Sequence, residues 1–264
     1  MQSKKIISVV CSVVLSVVGM CHADVYGRNN NGNWHDTNST WTIASAYVNT
    51  VPGSGDTATL MSVNGATINL YESPVIVGGI IIGAWESTLA KTVTLNVWAN
   101  LSTTAAVAIG ANANAGNGTM IIASNASVSV GGSATIGTNA FGTLTINDGG
   151  SFTNAWQLTI GDKGSVEIND GLLWIRNNVV MTNGASVDIC GASEFWINGN
   201  HTGAGSNLSK YIADGWITGN GVAGNLSVVF DGTKTIVTAI PEPGTVGLMI
   251  IAGLCVFVKR NFFS

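Results

Sequence analysis

Charge is scarce in this chain. Asp, Glu, Lys and Arg make up 9% of its 264 residues, and the formal net charge is -4. No basic field exists to hold nucleic acid, which excludes that class of partner. Cysteine is scarcer still where it would count. Cys11 and Cys21 lie in an apolar N-terminal segment and Cys255 in an apolar C-terminal one, so Cys190 stands alone in the body. An intrachain disulfide there is excluded, and stability must come from a core and from backbone ladders. Beyond the N-terminal segment the histidines are His35 and His201, far apart in the chain. No Gly-x-Ser-x-Gly, His-Glu-x-x-His or Cys-x-x-Cys pattern occurs. Gly219-x-Gly221-x-x-Gly224 matches the dinucleotide fingerprint in form, but with 34 glycines such a match is cheap. It lacks the strand-to-helix setting, and a loop is expected there. Neither a metal site nor a cofactor is expected.

What the chain does contain is repetition. Ile-Gly recurs at Ile82-Gly83, Ile109-Gly110, Ile136-Gly137 and Ile160-Gly161, at spacings of 27, 27 and 24. A second landmark begins at Gly118, Gly142, Gly164 and Ala185, at spacings of 24, 22 and 21. It reads Gly-Thr-Leu-Thr-Ile at 142–146 and Gly-Ser-Val-Glu-Ile at 164–168. A third mark, Val128, Phe152, Trp174 and Phe195, keeps those same three spacings.

Within a unit the hydrophobic period is two. Leu144 and Ile146 alternate with Thr143 and Thr145, as in a half-buried strand. The turn Asn147-Asp148-Gly149-Gly150 follows, with its counterpart at Asn169-Asp170-Gly171. Three short strands and their turns fill 21 to 27 residues and leave no room for a helix. The expected fold is therefore all-β: a single right-handed parallel β-helix over residues 67–200, about six coils sharing one core. Leu144, Val166 and Val187 should form one inward column, and Ile146, Ile168 and Ile189 the next. Asn147 and Asn169 should trade amide hydrogen bonds, with Cys190 as a small buried side chain ending that ladder.

Both ends need caps. Residues 24–66, with Trp34, Trp41 and Val51-Pro-Gly-Ser-Gly-Asp56, are expected to close the front. At the back, 201–239 should form a short helix capped by Asn207, with Leu208, Tyr211 and Ile212 on one face and Gly215 ending it. A hairpin around Asp231-Gly232 should follow.

The termini read as addresses. Lys4-Lys5, an apolar run over 6–20 and a small-residue site at Ala23 before Asp24 describe a signal peptide, residues 1–23, removed by signal peptidase. Met20 before Cys21 argues against a lipoprotein. Near the other end stand Pro241, Glu242 and Pro243, then an apolar run over 244–258, then Lys259 and Arg260. As a transmembrane helix, 244–258 would be about 22 Å long, a marginal span of a core about 30 Å thick. The basic pair should stay cytoplasmic.

This tail, residues 240–264, resembles the PEP-CTERM sorting signal of Gram-negative bacteria that make extracellular polysaccharide. The resemblance implies transient tethering in the inner membrane, cleavage by an exosortase-type protease and release to the cell surface or matrix. A permanent anchor is the alternative. The opening with Trp34, Trp41 and Val51–Leu60 resembles the start of exported autotransporter-like β-solenoid passengers, more loosely.

Carboxylates are the one place to look for chemistry. Asp148 and Asp170 should sit one coil apart at a turn, and Glu167 and Asp188 on an outward strand face. Paired carboxylates can perform acid/base work or hold calcium. Yet turn geometry already explains Asp in Asn-Asp-Gly, and Lys163 and Arg176 are the only bases in these coils. Outward pairs such as Thr92/Thr94 and Thr143/Thr145 raise ice binding, but Thr119/Ile121, Ser165/Glu167 and Ser186/Asp188 break the array. The expected function is a non-catalytic, exported surface or matrix component among exopolysaccharide chains. The alternative is a carbohydrate-binding or polysaccharide-degrading β-helix, and the third reading an ice-binding or adhesin-like solenoid.

Overall fold

A computed structural model describes residues 25–28, 31–36, 41–43, 46–48, 51–60, 65–72, 74–83, 91–111 and 116–241. The signal segment, Ala23 and Asp24, Glu242 and Pro243, the apolar run 244–258, and Lys259 and Arg260 lie outside them. Among the described residues no helix is long and apolar enough to cross a membrane.

The body is a parallel β-solenoid of three sheets, with nine, eight and nine strands. One coil shows the plan. Gly142–Ile146 lies in the first sheet, Ser151–Asn154 in the second and Gln157–Ile160 in the third. Each strand pairs in parallel with its copy in the next coil, Gly164–Asn169, Leu172–Ile175 and Asn178–Met181. Five coils are complete, the first being Ala66–Leu70, Val75–Val77 and Gly79–Ile82. Parallel pairing also reaches forward of them, where Val25–Arg28 pairs with Thr57–Leu60.

Alternation explains the core. In the first sheet Ile68, Leu95, Met120, Leu144, Val166, Val187 and Ile217 form one fully buried column. Leu70, Val97, Ile122, Ile146, Ile168 and Ile189 form the next. No single coil could bury such a face; the stack does so by sharing it.

The corner between third and first sheets accounts for two of the sequence landmarks at once. Gly110 and Gly137 adopt φ of 61° and 65°, a left-handed turn that admits glycine at least cost. Their N–H groups donate to Ile82 and Ile109 O, at 3.0 and 2.8 Å. A Cβ on Gly137 would collide with the backbone of Gly164, which opens the strand stacked on Gly142–Ile146. Ile-Gly and Gly-x-x-x-Ile are thus the two walls of one tight crossing.

The structure corrects three expectations. Phe152 stacks on Leu173, and Leu173 on Phe195, so Trp174 is not in the inward column. Leu172–Ile175 is a wholly apolar run, whose period cannot choose a face, and the register puts the slimmer Leu between the two Phe rings. The helix Asn207–Ala213 is capped by Ser206, whose Oγ accepts from Ser209 N at 3.1 Å, rather than by Asn207. Among the described residues the hydrogen bond between two Asn side chains of successive coils runs from Asn96 Nδ2 to Asn69 Oδ1 at 2.8 Å, not between Asn147 and Asn169. Cys190 does follow Asn169 in the ladder.

Each sheet ends differently. The helix buries Leu208 and Tyr211 over the end of the third sheet, and Tyr211 Oη accepts from Met181 N at 3.2 Å. Leu226–Phe230 and Lys234–Ala239 form a hairpin whose second strand lies antiparallel on Glu194–Asn198, closing the second sheet. The first sheet ends in the small hairpin of Ile217–Gly219 and Val222–Ala223, the surroundings of the Gly219, Gly221 and Gly224 motif. At the front, Trp41–Ile43 pairs antiparallel with both Val25–Arg28 and Ala46–Val48.

Candidate functional site

The outer faces carry whatever this solenoid offers to a partner. On the first sheet the register aligns Thr67, Thr94, Thr119, Thr143, Ser165 and Ser186 in one unbroken column of hydroxyls. The sequence pairs suggested another alignment, but Thr92 lies beside Asn117, and Thr94 leads through Thr119 to Thr143. Ser186 Oγ donates to Ser165 Oγ at 3.2 Å, one link of a hydroxyl ladder. The parallel column beside it is mixed: Asn69, Asn96, Ile121, Thr145, Glu167 and Asp188.

Glu167 and Asp188 are therefore neighbours on the outer face. Asp188 is tied to the C-terminal cap, accepting from Thr218 Oγ1 and Gly221 N at 2.8 Å each, and from Cys190 Sγ at 3.2 Å. Burial works to raise its pKa, but the bonds from Gly221, Thr218 and Cys190 outweigh it and hold the carboxyl below its usual range. Such a group is an anion near neutral pH and a poor proton donor. Asp170 stands at φ 55° and its Oδ1 accepts from Ala192 N at 2.7 Å, a turn-bracing role. Asp148 lies one coil earlier in the corresponding turn, where its carbonyl accepts from Asn125 N at 3.2 Å. Among the described residues no three His, Cys, Asp or Glu side chains gather as a metal site would require.

Cys190 is half-buried rather than buried. Desolvation, its bond to Asp188 and the nearby carboxylates push the thiol up to about 11. A thiol so placed is a weak nucleophile at neutral pH.

Two groups of outward aromatics were not legible as sites. On the second sheet Trp174 faces out beside Trp196, edge to face with centroids 5.7 Å apart. Arg176 lies over the first ring at 4.6 Å and Lys234 over the second at 3.2 Å. Trp174 Nε1 donates to Asn198 Oδ1 at 3.0 Å. Cations cover these rings, and because Lys234 belongs to the hairpin, the group fastens the cap to the sheet.

The other group is open. Tyr71 and Trp98 leave the first sheet one coil apart, just past Leu70 and Val97. Their rings are near-parallel, at 20°, with centroids 6.1 Å apart, and the residues are 57% and 55% exposed. Asn69 and Asn96 precede them by two positions, and Glu72 Oε2 lies 3.7 Å from His35 Nδ1. Alternation of two in the sequence could have placed each ring next to its Asn, but only the register brings the two coils together.

A small cavity of about 90 Å³ lies under the helix, lined by His201, Ser206, Leu208 and Tyr211 among others. It has room for a few waters and none for a sugar. Comparison with protein-family models, with curated proteins and with solved structures finds no match for this chain.

Proposed function

We propose that this chain is a non-catalytic, exported β-solenoid that serves as a component of the cell surface or extracellular polysaccharide matrix. The coil in this reading is right-handed, the hand that parallel crossovers take. The observation that carries the function is the outer face of the first sheet. Six hydroxyls in one file, flanked by the Asn69–Asn96 amide pair, offer donors and acceptors at the coil spacing of about 4.8 Å. Neutral polar groups in a rigid row suit lateral packing among glycan chains.

Delivery rests on the termini. Signal peptidase removes 1–23, the helix 244–258 tethers the chain in the inner membrane, and an exosortase cuts near Pro241-Glu242-Pro243. The last described residues support an accessible site. Ile240 N donates to Asn225 O at 3.1 Å, the hairpin strand has ended at Ala239, and both Ile240 and Pro241 are exposed. Prolines there prevent further pairing and favour an extended chain.

A hydrolytic form of the degrading alternative needs a carboxylic acid held protonated near neutral pH. Asp188 is shifted the other way and does not fit that role. Ice binding needs a flat array more than one file wide, and Ile121, Glu167 and Asp188 interrupt the second file.

Cell fractionation with intact-mass measurement tests the proposal in a host that has an exosortase. The protein should co-extract with the exopolysaccharide and lack both 1–23 and the segment after the Pro-Glu-Pro motif. Recovery of the full tail through Ser264 from the envelope makes it a permanent anchor instead. Turnover of any glycan in a polysaccharide panel makes it an enzyme.

A further inference from the structure

We propose that Tyr71 and Trp98, with the amide pair Asn69–Asn96 beside them, form a binding site for a neutral pyranose polysaccharide. The inference rests on reading the chain as a matrix component, and it locates the contact.

Large aromatic rings reach the surface at a cost when nothing covers them, so an exposed pair implies an intended partner. The other large aromatics of the outer surface, among the described residues, have local explanations or stand singly. Trp174 and Trp196 are covered by Arg176 and Lys234, and Phe141 and Trp156 are isolated rings at separate corners. Among the described residues Tyr71 and Trp98 alone combine near-parallel rings, more than half exposed, from two successive coils.

The amides add polar recognition. An Asn side chain carries one acceptor oxygen and two N–H donors. In the bond from Asn96 to Asn69, one donor of Asn96 meets the oxygen of Asn69. That leaves the Asn69 amide nitrogen as a donor and the Asn96 oxygen as an acceptor, with no other side-chain partner among the described residues. A sugar hydroxyl is at once donor and acceptor and fits such a pair. The apolar C–H face of a pyranose fits an aromatic ring, whose π-face is negative. Rings and amides repeat together along the solenoid axis, so the site accommodates consecutive residues of a chain better than a single sugar.

Charge selects the class. Glu72, exposed and beside His35, is the nearest carboxylate in sequence to the rings. It would repel a uronic-acid polymer, so the site favours neutral glycans.

Affinity electrophoresis of the full-length protein in mild detergent provides the test. The gels would contain a soluble β-glucan, an α-glucan, a galactomannan or a polyuronate. At least one neutral polymer should retard the wild type. Trp98→Ala and Asn96→Ala should each weaken that retardation about tenfold or more, while Trp156→Ala, another exposed indole, leaves it unchanged. Thermal unfolding midpoints close to wild type would show that the variants are folded. Retardation by the polyuronate alone, by no polymer, or equally for wild type and Trp98→Ala would each overturn the site. None of these outcomes touches export or matrix retention, which fractionation reads separately.

Discussion

Leu173 and Trp174 are adjacent in the chain and face opposite sides of one sheet. Leu173 is fully buried between Phe152 and Phe195, whereas Trp174 meets Trp196 and Arg176 on the outside. Truncating Leu173 to Ala should therefore cost about 2–5 kcal/mol, the range for emptying a core slot. Trp174→Ala should cost only about 1–2 kcal/mol, from an edge contact and one cation–π contact. Urea unfolding of the two variants decides it, and a larger loss for Trp174 would restore the column that the spacings suggest. The inward columns of the first sheet were legible because Thr-Leu-Thr-Ile alternates. Leu172–Ile175 does not alternate, and there the period could not assign a face. The Tyr71–Trp98 pair was illegible for a related reason: it depends on which residues of two coils align.

At the scale of elements, the C-terminal hairpin depends on one side chain. Asp231 Oδ1 accepts from Thr233 N, Lys234 N and Thr233 Oγ1 at 2.8, 2.9 and 2.7 Å, closing the turn from within. The backbone N–H of Lys234, with the two Thr233 bonds, lowers its pKa from 3.8 to about 2. A carboxylate depressed in the folded state adds stability that is whole above its unfolded pKa and is lost as pH falls through the folded one. The hairpin should accordingly weaken between about pH 4 and pH 2. Asp231→Asn should flatten the pH dependence of the unfolding midpoint in that window, leaving the share that belongs to Asp188, which is also lowered. Equal slopes in wild type and variant would sink the assignment. Asp-Gly between two apolar runs made this turn readable in advance. The helix cap was harder, because Ser206 and Asn207 are both good capping residues and only the geometry separates them.

For the whole molecule, stability is a sum over neighbours, since each coil meets only the coils on either side. Repeats with three landmarks in step made that architecture legible, while the caps, which occur once, left weaker traces. The last parallel strand of the second sheet, Glu194–Asn198, is covered by the reversed strand Lys234–Ala239. Ending the chain before Leu226 should uncover that edge together with Phe195 and Ile197, and light scattering should then report larger species than the full chain forms. Retention of the full chain's mass distribution would mean that the hairpin is not a cap. The reversal has a further consequence, for length. A strand that runs backwards gives no template for another forward coil, so this rod cannot grow from its tip. It can grow only from within, where one more unit of 21 to 27 residues would slide in between neighbours of the same plan. Each such duplication would add about 4.8 Å and leave both tips as they are, so descendants of this chain could differ in reach by whole steps while keeping the same ends.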